Sequence, residues 1–355
     1  MKSFSFSGVA RIIVAVGMAA ALTGCSGSAS PTDSPSPTET PKVFVTAPLT
    51  GVQYEEGTNP ALDGPSVACK VDNLDVARPQ LSLNKTDTVF VEMVEGGLTR
   101  FVAVFHSQMP EAAGPVRSIR PMDPDIISPF GGIVCYSGGQ YKFVKMMQAT
   151  NVFNANETEE QGKGTFTRVS DREAPHNVIV NIAKLQQAHP DLPAPSPQFK
   201  FATAADTAAT SAGKLVELVK IYYPLALSQW TPSTDGTKWL RTQDGKPHTD
   251  AADGSQLSAT NVVVLQVAID RTYGYVPKTT MVSSGKGWVF IAGRYIEASW
   301  SKSSQTSPIV LTDADDAEIL LAPGNTWVEL MPKAPEGKIS IVEKAEPTPT
   351  ATPKK

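Results

Sequence analysis

The chain has 355 residues, with 31 Lys and Arg against 35 Asp and Glu, a formal net charge of −4. Mild acidity argues against non-specific nucleic-acid binding, which needs clustered positive charge. With three Cys, four His and neither CxxC nor HExxH spacing, no zinc set is recognisable and no cofactor motif is present.

The N-terminus bears on location. Lys2 and Arg11 precede the apolar run Ile12 to Leu22, which is too short to span a bilayer as a mature helix and reads as a cleavable signal. The run ends in Leu22-Thr23-Gly24-Cys25, which resembles the bacterial lipobox. That resemblance implies removal of residues 1–24 and a diacylglyceryl group on the Cys25 thiol. Two acyl chains suffice for stable anchoring, so the expected location is extracytoplasmic, on the outer face of the cell membrane. Residues 25–42 are a Pro/Ser/Thr tract with almost nothing to bury, expected to be a disordered tether reaching about 50 Å when extended.

The expected fold class is α+β: a mixed α/β N-terminal domain over 43–190, a linker over 191–213, a mainly antiparallel β domain over 214–333 and a disordered tail over 334–355. In the first half, Ser66 to Asn73, Thr88 to Met93 and Leu98 to Phe105 are short, β-branched or aromatic runs that read as strands. Asp123-Pro124-Asp125-Ile126-Ile127 reads as a helix start with Asp123 as its cap. Gly132 to Gly139 reads as a buried strand, Gln140 to Thr150 as a helix, and Ile182 to Ala188 as a second short helix. Cys69 and Cys135 lie in apolar strand-like runs, where a disulfide and two inert thiols are both open.

Beyond the linker the pattern is β. Asp235-Gly236 and Asp244-Gly245 read as hairpin turns, and Asn261 to Ala268 is the clearest strand. Gly287 to Ile291, Arg294 to Trp300, Ala317 to Leu321 and Thr326 to Leu330 follow at regular intervals, as in a sandwich or barrel.

The candidate site comes from a bias in cation type. Six of the nine arginines after Cys25 lie between Arg78 and Arg172, where there are four lysines; the rest of that chain has three Arg and sixteen Lys. A planar guanidinium matches carboxylate or phosphate bidentately, whereas scattered Lys serves solubility. Arg78, Arg100, Arg117, Arg120, Arg168 and Arg172 are therefore candidates to ring one pocket with His106, Asp171, His176 and Asn177. The competing reading pairs the arginines with Glu92, Glu95, Glu111 or Asp123 as structural ion pairs.

In order and spacing, several segments carry a resemblance: Pro48-Leu49-Thr50-Gly51, Val71-Asp72-Asn73, Ala77-Arg78-Pro79-Gln80, Glu95 to Arg100 and Gly114 to Ser118, then Trp239 to Asp250, Gly285 to Trp300 and Pro323 to Trp327. Over nearly all of its folded part the chain is similar to the YerB-like lipoproteins, a two-domain family of uncharacterised function. The resemblance implies a cell-envelope lipoprotein and supplies no catalytic residues.

Three functional readings follow. The first is a binding module for an anionic wall-associated ligand, such as a wall glycan or a lipid-linked precursor. The second is a hydrolase or transferase acting on a phosphodiester or glycosidic bond, with His106 or His176 as general acid or base. The third is an envelope scaffold that presents Trp230, Trp239, Trp288, Trp300 and Trp327 at an interface.

Overall fold

A computed structural model describes residues 42–203 and 212–346. The expected signal segment, Cys25, the expected tether to residue 41, part of the expected linker and residues 347–355 lie outside them. No helix among the described residues is long and apolar enough to cross a membrane.

One large sheet runs through both halves of the sequence. On the N-terminal side its strands are ordered Thr88–Met93, Thr99–Phe105, Val67–Asp72, Ile133–Tyr136 and Phe153–Asn156. The first three pair antiparallel, and the last three pair parallel. On the C-terminal side come Asn261–Val267, Ser284–Ile291, Arg294–Ser301, Lys214–Tyr223, Ala226–Pro232 and Trp239–Gln243.

The join is Thr326–Pro332, which pairs parallel with both 261–267 and 88–93. Every residue of this strand is buried, as expected of a strand covered on both faces. The C-terminal half is thus antiparallel from 214 to 301 and parallel where it meets the N-terminal half.

The described chain is mainly β, and its α-helices of more than one turn lie with the N-terminal strands. Its α-helices are short, Asp123–Ile127, Tyr141–Gln148 and Ile182–Gln187, and the first gives way at once to a 3-10 turn, Ser128–Phe130, that contains Pro129. Ala317 to Leu321 forms only isolated bridges, through Glu318 and Leu321. The expectation of a disordered tail over 334–355 also fails in part. Lys338–Glu343 is a strand antiparallel to 214–223, whose exposed edge it pairs.

Alternation places two cores on the two faces of the sheet. Ala68, Phe90, Val102 and Val104 face Ile126, Ile127, Phe130, Phe143 and Met147. On the other side Val71, Val91 and Phe101 pack with Val116, Val180, Trp230 and Trp327. Of the five tryptophans of the scaffold reading, Trp230, Trp239, Trp300 and Trp327 are buried in these cores and Trp288 is half-buried. Cys69 and Cys135 face one another across parallel strands and form a disulfide.

Candidate functional site

The strand Val67–Asp72 alternates, so Ala68, Lys70 and Asp72 share the helix-covered face. Arg100 lies opposite Asp72 on one neighbouring strand and opposite Glu92 on the next, which sets Asp72, Arg100 and Glu92 in a row across three strands. Below that row, Lys70 Nζ bonds Glu92 and lies 2.6 Å from Oδ1 of Asp123. Asp123 is the first residue of the helix and not its cap, a position taken by Met122 without a side-chain capping bond; the Asp123 Oδ2 instead accepts from the Arg120 amide at 2.6 Å. Asp123 is also one of two carboxylates on a fully buried lysine. Burial and the Asp123 charge together push the Glu92 carboxyl up to about 7, against the pull of Lys70.

Where the Ile133–Tyr136 strand leaves the edge of Val67–Asp72, the segment 115–117 takes its place. The Asp72 amide donates to Pro115 O at 3.0 Å and the Arg117 amide to Lys70 O at 2.8 Å. This docking brings Arg117 to Asp72, with Nε 3.0 Å from Oδ2. The same oxygen lies 2.7 Å from His176 Nδ1. Asp72 is 1% exposed, so this carboxylate is buried beneath two partners.

Next to His176, Arg172 donates to the carbonyls of Ala77 at 2.8 Å and Pro79 at 2.6 Å, tying the 77–79 loop to the 168–177 loop. Arg78 on that loop lies 3.2 Å from Asp75 and 3.1 Å from Asp244. Between the loops is an open cleft of about 600 Å³ lined by Val76, Arg78, Asp171, Arg172, Glu173, Ala174 and His176.

Four of the ten expected site residues therefore line one cleft: Arg78, Asp171, Arg172 and His176. Arg117 stands behind them through Asp72. Arg100 is buried, donates to Ser118 O at 3.1 Å, and is pushed down to about 10 by burial and by the charges of Arg120 and Arg117. Arg120 is held by Glu95 at 2.8 Å.

Three residues lie elsewhere. Arg168 forks onto Glu157 at 2.8 and 2.9 Å and bonds Asn177 at 2.9 Å, beside a separate cleft. His106 is the clearest correction. It follows the far end of the 99–105 strand, six residues and about 20 Å from Arg100. There it is buried, with Nε2 3.2 Å from Gly64 O and Nδ1 unpartnered, and burial pushes it down to about 4.

A second buried polar chain was not anticipated from the sequence. Gln80 donates to Asp72 O at 2.8 Å and meets His248 Nε2 at 2.6 Å; His248 contacts Arg241, which donates to Ser228 Oγ at 2.8 Å. Ser228, Trp230 and Tyr223 all bond the buried Glu329 carboxylate. The Arg241 guanidinium lies over the rings of Phe101, Trp230 and Trp327 at 5.1 to 5.7 Å. Burial and the Arg241 charge hold His248 well below its usual value. His248 also lines a smaller cleft, about 310 Å³, that shares Arg78 with the first.

Against known proteins, residues 49–194 match the N-terminal domain, and residues 219–328 the C-terminal domain, of a protein of unknown function, DUF3048. The chain belongs to the DUF3048 family. YerB of Bacillus subtilis strain 168, whose name marks it as a candidate lipoprotein, is 27% identical over 310 residues, 83% of this chain and 88% of YerB. The crystal structure of Bacillus subtilis YerB matches with a TM-score of 0.72 and 26% identity, over 83% of this chain and 99% of the solved one. The resemblance to YerB-like lipoproteins thus holds through both domains. Asp72, Arg78, Arg172 and His176 belong to the DUF3048 N-terminal domain, and Arg241 and His248 to the C-terminal one.

Proposed function

We propose that this DUF3048 protein is lipid-anchored in the cell envelope and binds, in the Arg78–Arg172–His176 cleft, a wall-associated ligand through a single anionic group. The observation that carries this reading is the convergence of the Arg78 and Arg172 guanidinium groups, with His176 beside them, on one open cleft. Leu22 to Cys25 and the lipoprotein name of YerB support the location.

The charge balance narrows the ligand. Asp171 and Glu173 share the cleft with the two arginines, and Arg78 is already beside Asp75 and Asp244. Arg172, whose terminal nitrogens meet only backbone carbonyls, keeps the least-compensated charge. A densely charged polyanion would meet those acids, whereas one phosphodiester or carboxylate would not overload the site. Such a group occurs in a substituted wall glycan or a lipid-linked precursor.

Titration calorimetry of the full chain with dimethyl phosphate tests the reading. A charge-assisted hydrogen bond contributes about 1.5–3 kcal/mol, so Arg172→Gln should weaken binding by roughly tenfold or more. Arg168→Gln, outside the cleft, should leave binding unchanged. Equal affinity of folded Arg172→Gln and wild-type protein would remove the proposal.

A further inference from the structure

We propose that Asp72 and His176 form a general-base dyad that hydrolyses a phosphodiester held in the cleft; the inference rests on the anion-binding reading above and gives that site a reaction. The geometry has three parts. His176 Nδ1 lies 2.7 Å from Asp72 Oδ2. A carboxylate oxygen accepts, so this contact assigns the ring proton of neutral His176 to Nδ1. Nε2 then carries a lone pair, makes no hydrogen bond among the described residues, and belongs to a ring that lines the cleft.

Asp72 itself is held against rotation. Its Oδ1 accepts from the Leu74 amide at 3.2 Å, its main chain is bonded by Gln80 and by the 115–117 segment, and Arg117 flanks Oδ2. The base is thus oriented by a buried partner, the arrangement that fixes tautomer and ring plane in catalytic histidines. Arg78 and Arg172 lie in the same cleft, where they offset charge on the phosphoryl oxygens as it grows in the transition state.

The role of Nε2 as a base also argues for the substrate. A bare Nε2 cannot donate to an anion, but it can take a proton from a water or hydroxyl beside one. A phosphodiester carries one negative charge, which suits two arginines shared with Asp171 and Glu173 better than a dianionic phosphomonoester does.

In the step itself, water oxygen attacks phosphorus and forms a P–O bond while His176 Nε2 removes a water proton. The P–O bond to the leaving alcohol breaks, and the imidazolium returns the proton to the departing oxygen. The products are a phosphomonoester and an alcohol. Asp72 stays ionised throughout and acts as a positioning residue, with His176 as the base.

The test uses the full chain with bis(4-nitrophenyl) phosphate for turnover and dimethyl phosphate for binding. The expected result is nitrophenolate release above buffer, rising with pH through one ionisation. General-base assistance is worth about 10²–10⁴-fold, so His176→Gln should lower turnover by at least about 100-fold while dimethyl phosphate still binds. Asp72→Asn should slow turnover and move the pH midpoint downward, because a negative charge beside the imidazolium is lost. Wild-type binding without turnover, or full turnover in folded His176→Gln, overturns the dyad and leaves the binding reading standing. Absence of dimethyl phosphate binding overturns both.

Discussion

Two ionic clusters hang from the same strand, two residues apart on the same face. Lys70 meets Glu92 and Asp123 with every side chain at 0% exposure, while Asp72 meets Arg117 and His176, which remain 19% and 17% exposed. The helix 123–127 closes over the first. The second lies at the strand end, beyond that helix, where the 168–177 loop leaves a cleft. Chemistry is similar in the two clusters and access is not. A closed cluster must satisfy its own charges, and its worth lies in specifying the packing of helix on sheet. An open cluster can leave an atom such as His176 Nε2 for something else.

The largest expected effect is on the closed side. Lys70→Met strips the cation from two buried carboxylates, and breaking a buried ion pair on one side costs about 3–5 kcal/mol. Urea unfolding should show a loss of that order, and Lys70→Met with Glu92→Leu should recover part of it. A loss below about 1 kcal/mol for Lys70→Met would mean that the cluster is hydrated in solution.

A smaller effect separates His106 from the cleft. Burial depresses this base to about 4, so the folded chain binds fewer protons than the unfolded chain between pH 4 and 6.5. Its contribution to stability is present above about 6.5 and is lost as pH falls through 4. Glu92, raised to about 7, acts in the opposite sense, its contribution being lost as pH rises through 7. The difference between wild type and His106→Gln therefore isolates the histidine: thermal midpoints should converge as pH falls from 6.5 to 4. Dimethyl phosphate binding should be unaffected. An altered affinity in that variant would return His106 to the site.

Much of the local structure was legible in the sequence. Leu98 to Phe105 and Asn261 to Ala268 are strands as read, and both Asp-Gly pairs turn hairpins, with Asp244 and Gly245 at φ 52° and 80°. Long-range pairing was not legible. Period-two alternation says which residues share a face, yet it does not reveal that 326–332 lies beside 88–93, more than two hundred residues away. The same gap explains His106, since a strand has two polar ends and sequence alone does not say which faces the arginines.

The clue to Asp72 was present: Lys70 and Asp72 stand on one face of an otherwise apolar strand, which requires partners across the sheet. Their partners, Glu92, Asp123, Arg117 and His176, come from four separate segments. The 338–343 strand escaped notice because its alternating Lys-Ile-Ser-Ile-Val-Glu is short and sits beside Pro/Thr-rich chain.

The contrast between open and closed clusters is tested most directly by nitrogen NMR of the histidine rings during titration with dimethyl phosphate. His176 Nε2 should shift with ligand while Nδ1 stays bonded to Asp72, and the buried His106 and His248 should not respond. A silent His176, or a response at His248 instead, would contradict the assignment of the open cluster as the site.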